Sequence, residues 1–160
     1  TNGKMSEMSA AMGLTNLESM PDFIGTNRRN YEQYREALDG QHGLHLVRFD
    51  ESEQNNYQYI VFEFPTPLDG LTRDDLIRLL HAENVLARRY FYPGCHRMPF
   101  YRHLLFSHAR PLPVTERLGD RVFALPTGTA VTSEDIARLC ELVGFLLTHA
   151  SKIATRMHNA

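Results

Sequence analysis

Between Leu38 and Leu44 the hydrophobic spacing switches from a helical repeat to an alternating one, and that switch limits the folds open to this chain. Ahead of it, KMSEMSAAMGLTNLE (residues 4–18) has few breakers and many good helix formers. Ala10, Leu14 and Leu17 share one helical face while Met5, Met8 and Met12 share another, so this segment reads as a helix buried on both sides. Ser6, Ser9, Ala10 and Gly13 are small enough to let another backbone approach. Pro21 suits the first turn of a second helix, which carries Tyr31, Tyr34 and Leu38 as its apolar stripe and stops at Gly40. Beyond the switch, LHLVRF (44–49) alternates and YQYIVFEF (57–64) is rich in β-branched and aromatic residues, so both read as strands around the polar loop ESEQNN.

The second half repeats the mixture. Thr72 and Asp75 have capping-box spacing ahead of a short helix whose buried side is Leu76, Leu79 and Leu80. Residues 85–92 suggest a third strand and RVFAL (121–125) a fourth. Thr132 caps the last helix, with Glu134 and Asp135 where the helix dipole favours them. Ile136, Leu139, Cys140, Val143, Leu146 and Leu147 then follow helical spacing. The tail, 151–160, is polar and is expected to fray. Helices packed on a small mixed or antiparallel sheet make the fold class α+β. With 160 residues, 42% of them hydrophobic, the chain can bury one real core.

Charge narrows the partners. A formal net charge of −2 gives no general attraction to nucleic acid or to an anionic membrane. Cys95 and Cys140 lack Cys-x-x-Cys spacing, so neither a disulfide framework nor a zinc site is suggested, and a reduced, cytoplasmic setting is expected. The chain starts Thr1-Asn2-Gly3 with no initiator Met, which reads as part of a longer protein. Phosphate-loop, dinucleotide, nucleophile-elbow and zinc-protease signatures are all missing. The eight histidines are scattered; His42 and His45 lie close, but no further ligand follows at metal spacing. Cys140 belongs to an apolar stripe, and nothing near Cys95 argues for an activated thiol.

Two clusters remain. Asn2, Gly3 and Lys4 stand just before a helix, where an amide, a cation and free N–H groups suit a phosphate. The plainer reading, an Asn cap beside a solvated lysine, is favoured by the residues alone. The second cluster is RRYFYPGCHRMPFYR (88–102). Strand alternation would put Tyr90 and Tyr92 on one face and Phe91 on the other, with His96 and Arg97 following a Pro93-Gly94 turn. Phenols, an imidazole and aromatic faces suit a polyhydroxylated ligand. They equally suit an aromatic plug beside a proline, and the residues alone leave the two readings open.

In order along the chain, TNGKMSEMSAAMGLTNLE, RRNYEQYREAL, RRYFYPGCHRMPFY and RLGDRVFALPTGTAVTSEDIARLCELV resemble C-terminal segments of the DegT/DnrJ/EryC1/StrS family of pyridoxal-phosphate-dependent sugar aminotransferases. That resemblance implies the small C-terminal domain of a fold-type-I, aspartate-aminotransferase-like transferase. Residues 1–19 would be a helix joining it to a large domain, 20–150 the small domain and 151–160 a polar tail. It implies a homodimer with sites shared between subunits, a nucleotide-sugar substrate and glutamate or glutamine as amino donor. Pyridoxal 5'-phosphate would be held mainly by the large domain, with Asn2 reaching the cofactor phosphate of the neighbouring subunit. Lys4, Tyr90, Tyr92 and His96 would bind substrate.

Two departures matter. Many members carry Arg where Lys4 stands, which exchanges a planar fork for a point charge. Many have His-Tyr-Pro where this chain has Phe91-Tyr92-Pro93, a form closer to enzymes acting on 4-keto-6-deoxy sugar nucleotides. Transamination needs a lysine amine for the cofactor, and the only lysines are Lys4 and Lys152, neither in the family's lysine motif. This chain alone is therefore expected to hold no catalytic residue and to be inactive. A dehydratase of the same family, with histidine for that lysine, and a non-catalytic sugar-nucleotide-binding module are the alternatives.

Overall fold

The computed structural model describes residues 3–64, 68–101 and 111–159. Helix α1, Glu7–Leu38, begins where the Ser6 hydroxyl accepts the Ser9 N–H at 3.2 Å. It runs straight through Pro21, so the two expected helices are one of 32 residues, about 48 Å long at 1.5 Å per residue. Proline removes one backbone donor, and the helix formers on both sides carry the helix past it. The expected burial on both faces is not met within this chain. Met5, Met8, Met12, Leu14 and Leu17 are all exposed, whereas Tyr31, Tyr34 and Leu38 are buried. Only the second half of α1 therefore reaches the core, where Asn30 Nδ2 donates to Thr127 Oγ1 and the Gly128 carbonyl, both at 3.2 Å. Tyr34 donates its hydroxyl to the Pro126 carbonyl at 2.9 Å, and burial pushes its phenol well above the ordinary value.

Among the described residues four strands form one antiparallel sheet in the order β1-β2-β4-β3. These are β1 (His45–Leu46), β2 (Ile60–Glu63), β3 (Arg88–Arg89) and β4 (Val122–Leu125). The strands are shorter than their sequence patterns suggest because positive φ interrupts two of them. Tyr57, at φ 50, turns the chain before β2, and Phe91, also at φ 50, turns it after β3. On the core face Leu46, Phe62 and Phe123 lie in register across three strands.

Helices cover that face. α2 (Arg73–Ala82) opens on the expected capping box, Thr72 with Asp75. It buries Leu76, Ile77 and Leu80, with Leu79 half-buried. α3 (Pro113–Arg121), on the opposite side of the sheet, leads directly into β4. α4 (Ser133–Thr148) packs along α1 and buries all six residues of its expected stripe, under a second capping box from Thr132 and Asp135. The tail corrects the sequence reading. Ala150–His158 is helix α5, because Ala150, Ile153, Ala154 and Met157 repeat at helical spacing and pack on the core.

Three of these joints are carboxylates. Asp39 is held below the usual carboxylate range by the Leu46 N–H and by Arg48, and Asp135 by the Thr132 hydroxyl and N–H. For Asp75 burial works upward, but the Thr72 hydroxyl and N–H and Arg78 outweigh it, and the group ends lowered. A lowered folded value means that the unfolded chain binds more protons in acid. The stabilisation is thus complete above the ordinary value of about 3.9 and is lost as pH falls through the folded values. Urea midpoints should accordingly show no pH dependence from these groups above about pH 5, where their stabilisation is complete, and a decline below about pH 4. A chain equally stable at pH 3 and pH 6 would contradict this assignment.

Candidate functional site

The aromatic stretch leaves the sheet at Arg89. Positive φ at Phe91 breaks strand alternation, the Tyr92–Pro93 peptide is cis, and Cys95–Arg97 forms one short 3-10 turn. As a result Tyr90 and Tyr92 do not share a face. Tyr90 pairs instead with Phe91, ring centroids 4.2 Å apart, and with Tyr59 at 5.4 Å. These rings line an apolar cleft of about 450 Å³ between the open face of the sheet, at Val47 and Val61, and α3, at Leu118. The Tyr92 ring lies away from that cleft, with the guanidinium groups of Arg73, at 5.3 Å, and Arg89, at 5.5 Å, over it.

His96 turns inward, its side chain only 12% exposed, with Nε2 3.7 Å from Glu116 on α3. Arg97 meets the same carboxylate at 3.2 Å. The buried His96 Nε2 has no hydrogen-bond partner among the described residues, a state that costs about 1–3 kcal/mol unless a ligand or water supplies one. The imidazole can sit there because residue 94 is glycine: a Cβ at that position would come within 2.8 Å of His96 Cε1. Gly94→Ala should therefore displace the ring, which a shift of the His96 Hε1 resonance would report. An unmoved resonance would refute the close packing.

The N-terminal cluster is placed only in part. Asn2 lies outside the described residues, and Lys4 is exposed ahead of the Ser6 cap, lining neither cleft beside the aromatic loop. Cys95 is exposed, while burial pushes the Cys140 thiol up to about 11. Among the described residues no group of three or more His, Cys, Asp or Glu is placed to hold a metal ion, and no helix is long and apolar enough to cross a membrane. Sequence reading missed Tyr59, Arg73, Asp74 and Glu116. The last three sit in the first turns of α2 and α3, so helix starts flanking an aromatic loop were the available signal.

The model of the DegT/DnrJ/EryC1/StrS aminotransferase family matches residues 1–144. The chain belongs to that family. Among solved structures it resembles DesI, crystallised in the presence of its TDP-sugar product, at 42% identity and TM-score 0.88, over 99% of this chain and 40% of that one. The dTDP-4-amino-4,6-dideoxy-D-glucose transaminase of Escherichia coli is 33% identical over 145 residues, which is 89% of this chain and 38% of the enzyme. A dTDP-4-dehydro-2,6-dideoxy-D-glucose 3-dehydratase of Saccharopolyspora spinosa is 26% identical over 152 residues, 94% of this chain and 32% of that enzyme. The chain thus spans about a third to two fifths of these family members. The described residues do not by themselves build a site for the family's pyridoxal phosphate. Lys4 and Lys152, the only amines on side chains, are exposed and line neither cleft beside the loop.

Proposed function

We propose that this chain is the C-terminal portion of a pyridoxal-phosphate-dependent aminotransferase that converts a nucleotide-linked keto-sugar, a 4-keto-6-deoxyhexose, using glutamate or glutamine as amino donor. The observation that supports this most is the 42% identity to DesI across 99% of the chain. The cofactor would be held by a large domain, and a homodimer would bring Asn2 to the cofactor phosphate of the neighbouring subunit. The exposed apolar half of α1 supports residues 1–19 lying against other polypeptide.

What this chain contributes in that reading is binding. Lys4 would attract the substrate phosphates as a point charge. Tyr90 would offer an aromatic face to the sugar or base. Tyr92 would contribute a phenol hydroxyl, and His96 a ring nitrogen whose hydrogen bond is otherwise unmade.

The test is an assay of the longest natural protein carrying these residues, with dTDP-linked 4-keto-6-deoxyglucose and each donor, scored for a 4-amino sugar by mass spectrometry. Loss of water from the sugar instead would mark the dehydratase reading. Tight sugar-nucleotide binding without any conversion would mark the binding module. Residues 1–160 alone should turn over neither substrate.

A further inference from the structure

We propose that Arg73, Asp74 and Arg89 are positioning residues that hold the Tyr92 ring in place, so that its hydroxyl is presented to the ligand. The inference rests on the reading of Tyr92 as a substrate residue. Tyr92 sits on a loop and is 41% exposed, so little core packing fixes it. Guanidinium groups cover the ring at 5.3 Å and 5.5 Å, within the roughly 6 Å at which a cation is attracted to an aromatic face. Tyr90, Phe91 and Tyr59 line the neighbouring apolar cleft.

Two cations converging on one ring repel each other unless a countercharge stands between them. Asp74 supplies it: its Oδ1 accepts from Arg73 Nε at 2.6 Å and from Arg89 Nε at 2.9 Å. Each arginine is held by a rigid element. The Arg73 side chain, 3% exposed at the start of α2, also donates through Nη1 to the carbonyls of Gly119, at 3.0 Å, and Val122, at 2.5 Å. Arg89 is paired with Phe123 in the β3–β4 ladder. The clamp therefore joins α2, β3 and the α3–β4 junction, and the only part of it carried by a loop is the residue it holds.

Arg89 and Asp74 are the places to test this, because the more deeply buried Arg73 would disturb the fold when replaced. In the longest natural protein, Arg89→Gln should raise KM for the nucleotide sugar about tenfold with little change in kcat and no change in cofactor absorbance. Arg89→Lys should recover part of the loss. In a Tyr92→Phe background, Arg89→Gln should change KM less than twofold, since no hydroxyl remains to be positioned. Additive effects would overturn the proposal. A second readout needs no substrate: 3-fluorotyrosine placed at position 92 should shift or broaden its 19F signal in Asp74→Asn and Arg89→Gln. An unmoved signal overturns the clamp whatever the activity. Failure of the proposed function shows separately, as no turnover before any substitution is made, and the 19F signal then decides alone.

Discussion

Phe62→Ala is expected to destabilise this chain by about 3–5 kcal/mol, the range for truncating a fully buried phenylalanine. Phe62 lies on a central strand, is 0% exposed and stacks on Phe123 with centroids 6.0 Å apart. Its cross-strand neighbours are Leu46 on β1 and Phe123 on β4. Both are held by ladder hydrogen bonds, so the walls of the cavity cannot close in, and poor collapse is what moves a truncation to the costly end of its range. The measurement is the urea midpoint at unchanged m-value, with Phe91→Ala as the control. Phe91 is equally aromatic but 72% exposed in the cleft, and should cost less than about 1 kcal/mol. Similar losses for the two variants would mean that the core is not centred on the β2–β4 pair.

That contrast shows what the sequence could carry and what it could not. Local rules were readable. Both capping boxes stand where Thr and Asp fall three apart, and the stripe of α4 is buried residue for residue. What failed was set at a distance. Periodicity announced the methionine face of α1 but not its partner, which is absent from the described residues of this chain. Pro21 looked like a helix start because a local rule favours it there, yet one missing donor does not outweigh good formers on both sides. The tail looked polar because its apolar residues are few, yet Ile153, Ala154 and Met157 are spaced so that they reach the core.

The candidate site divides in the same way. The aromatic loop was visible as a cluster, but its internal arrangement turns on one backbone angle, φ 50 at Phe91, that no residue type announces. Strand alternation grouped Tyr90 with Tyr92; the structure groups Tyr90 with Phe91 and gives Tyr92 to two arginines, one of them 19 positions earlier in the chain. Glu116, which receives both His96 and Arg97, lies 20 and 19 positions downstream of them. Pairings over such separations depend on the sheet that brings α2, α3 and β3 together, and sequence spacing carries no trace of them.

Tyr92→Phe and His96→Asn, made in the longest natural protein, should each lower kcat/KM for the nucleotide sugar about 10–100-fold, a loss of roughly 1.4–2.8 kcal/mol of binding to the transition state. Cofactor absorbance should stay intact, because among the described residues neither side chain adjoins a lysine amine. The two substitutions test different parts of the loop. Removing the Tyr92 hydroxyl leaves the ring against Arg73 and Arg89, so stability should hardly change while substrate use falls. His96 is buried against Gly94, and asparagine keeps a polar group near the position of Nδ1 while removing the orphaned Nε2. If that nitrogen waits for a substrate oxygen, its removal costs turnover and relieves an unpaired buried group, so the variant should be no less stable than the parent. Parallel losses of stability, cofactor and turnover in both variants would instead make the loop a core plug, and the substrate wall would have to be sought in the cleft beneath Tyr59 and Phe91.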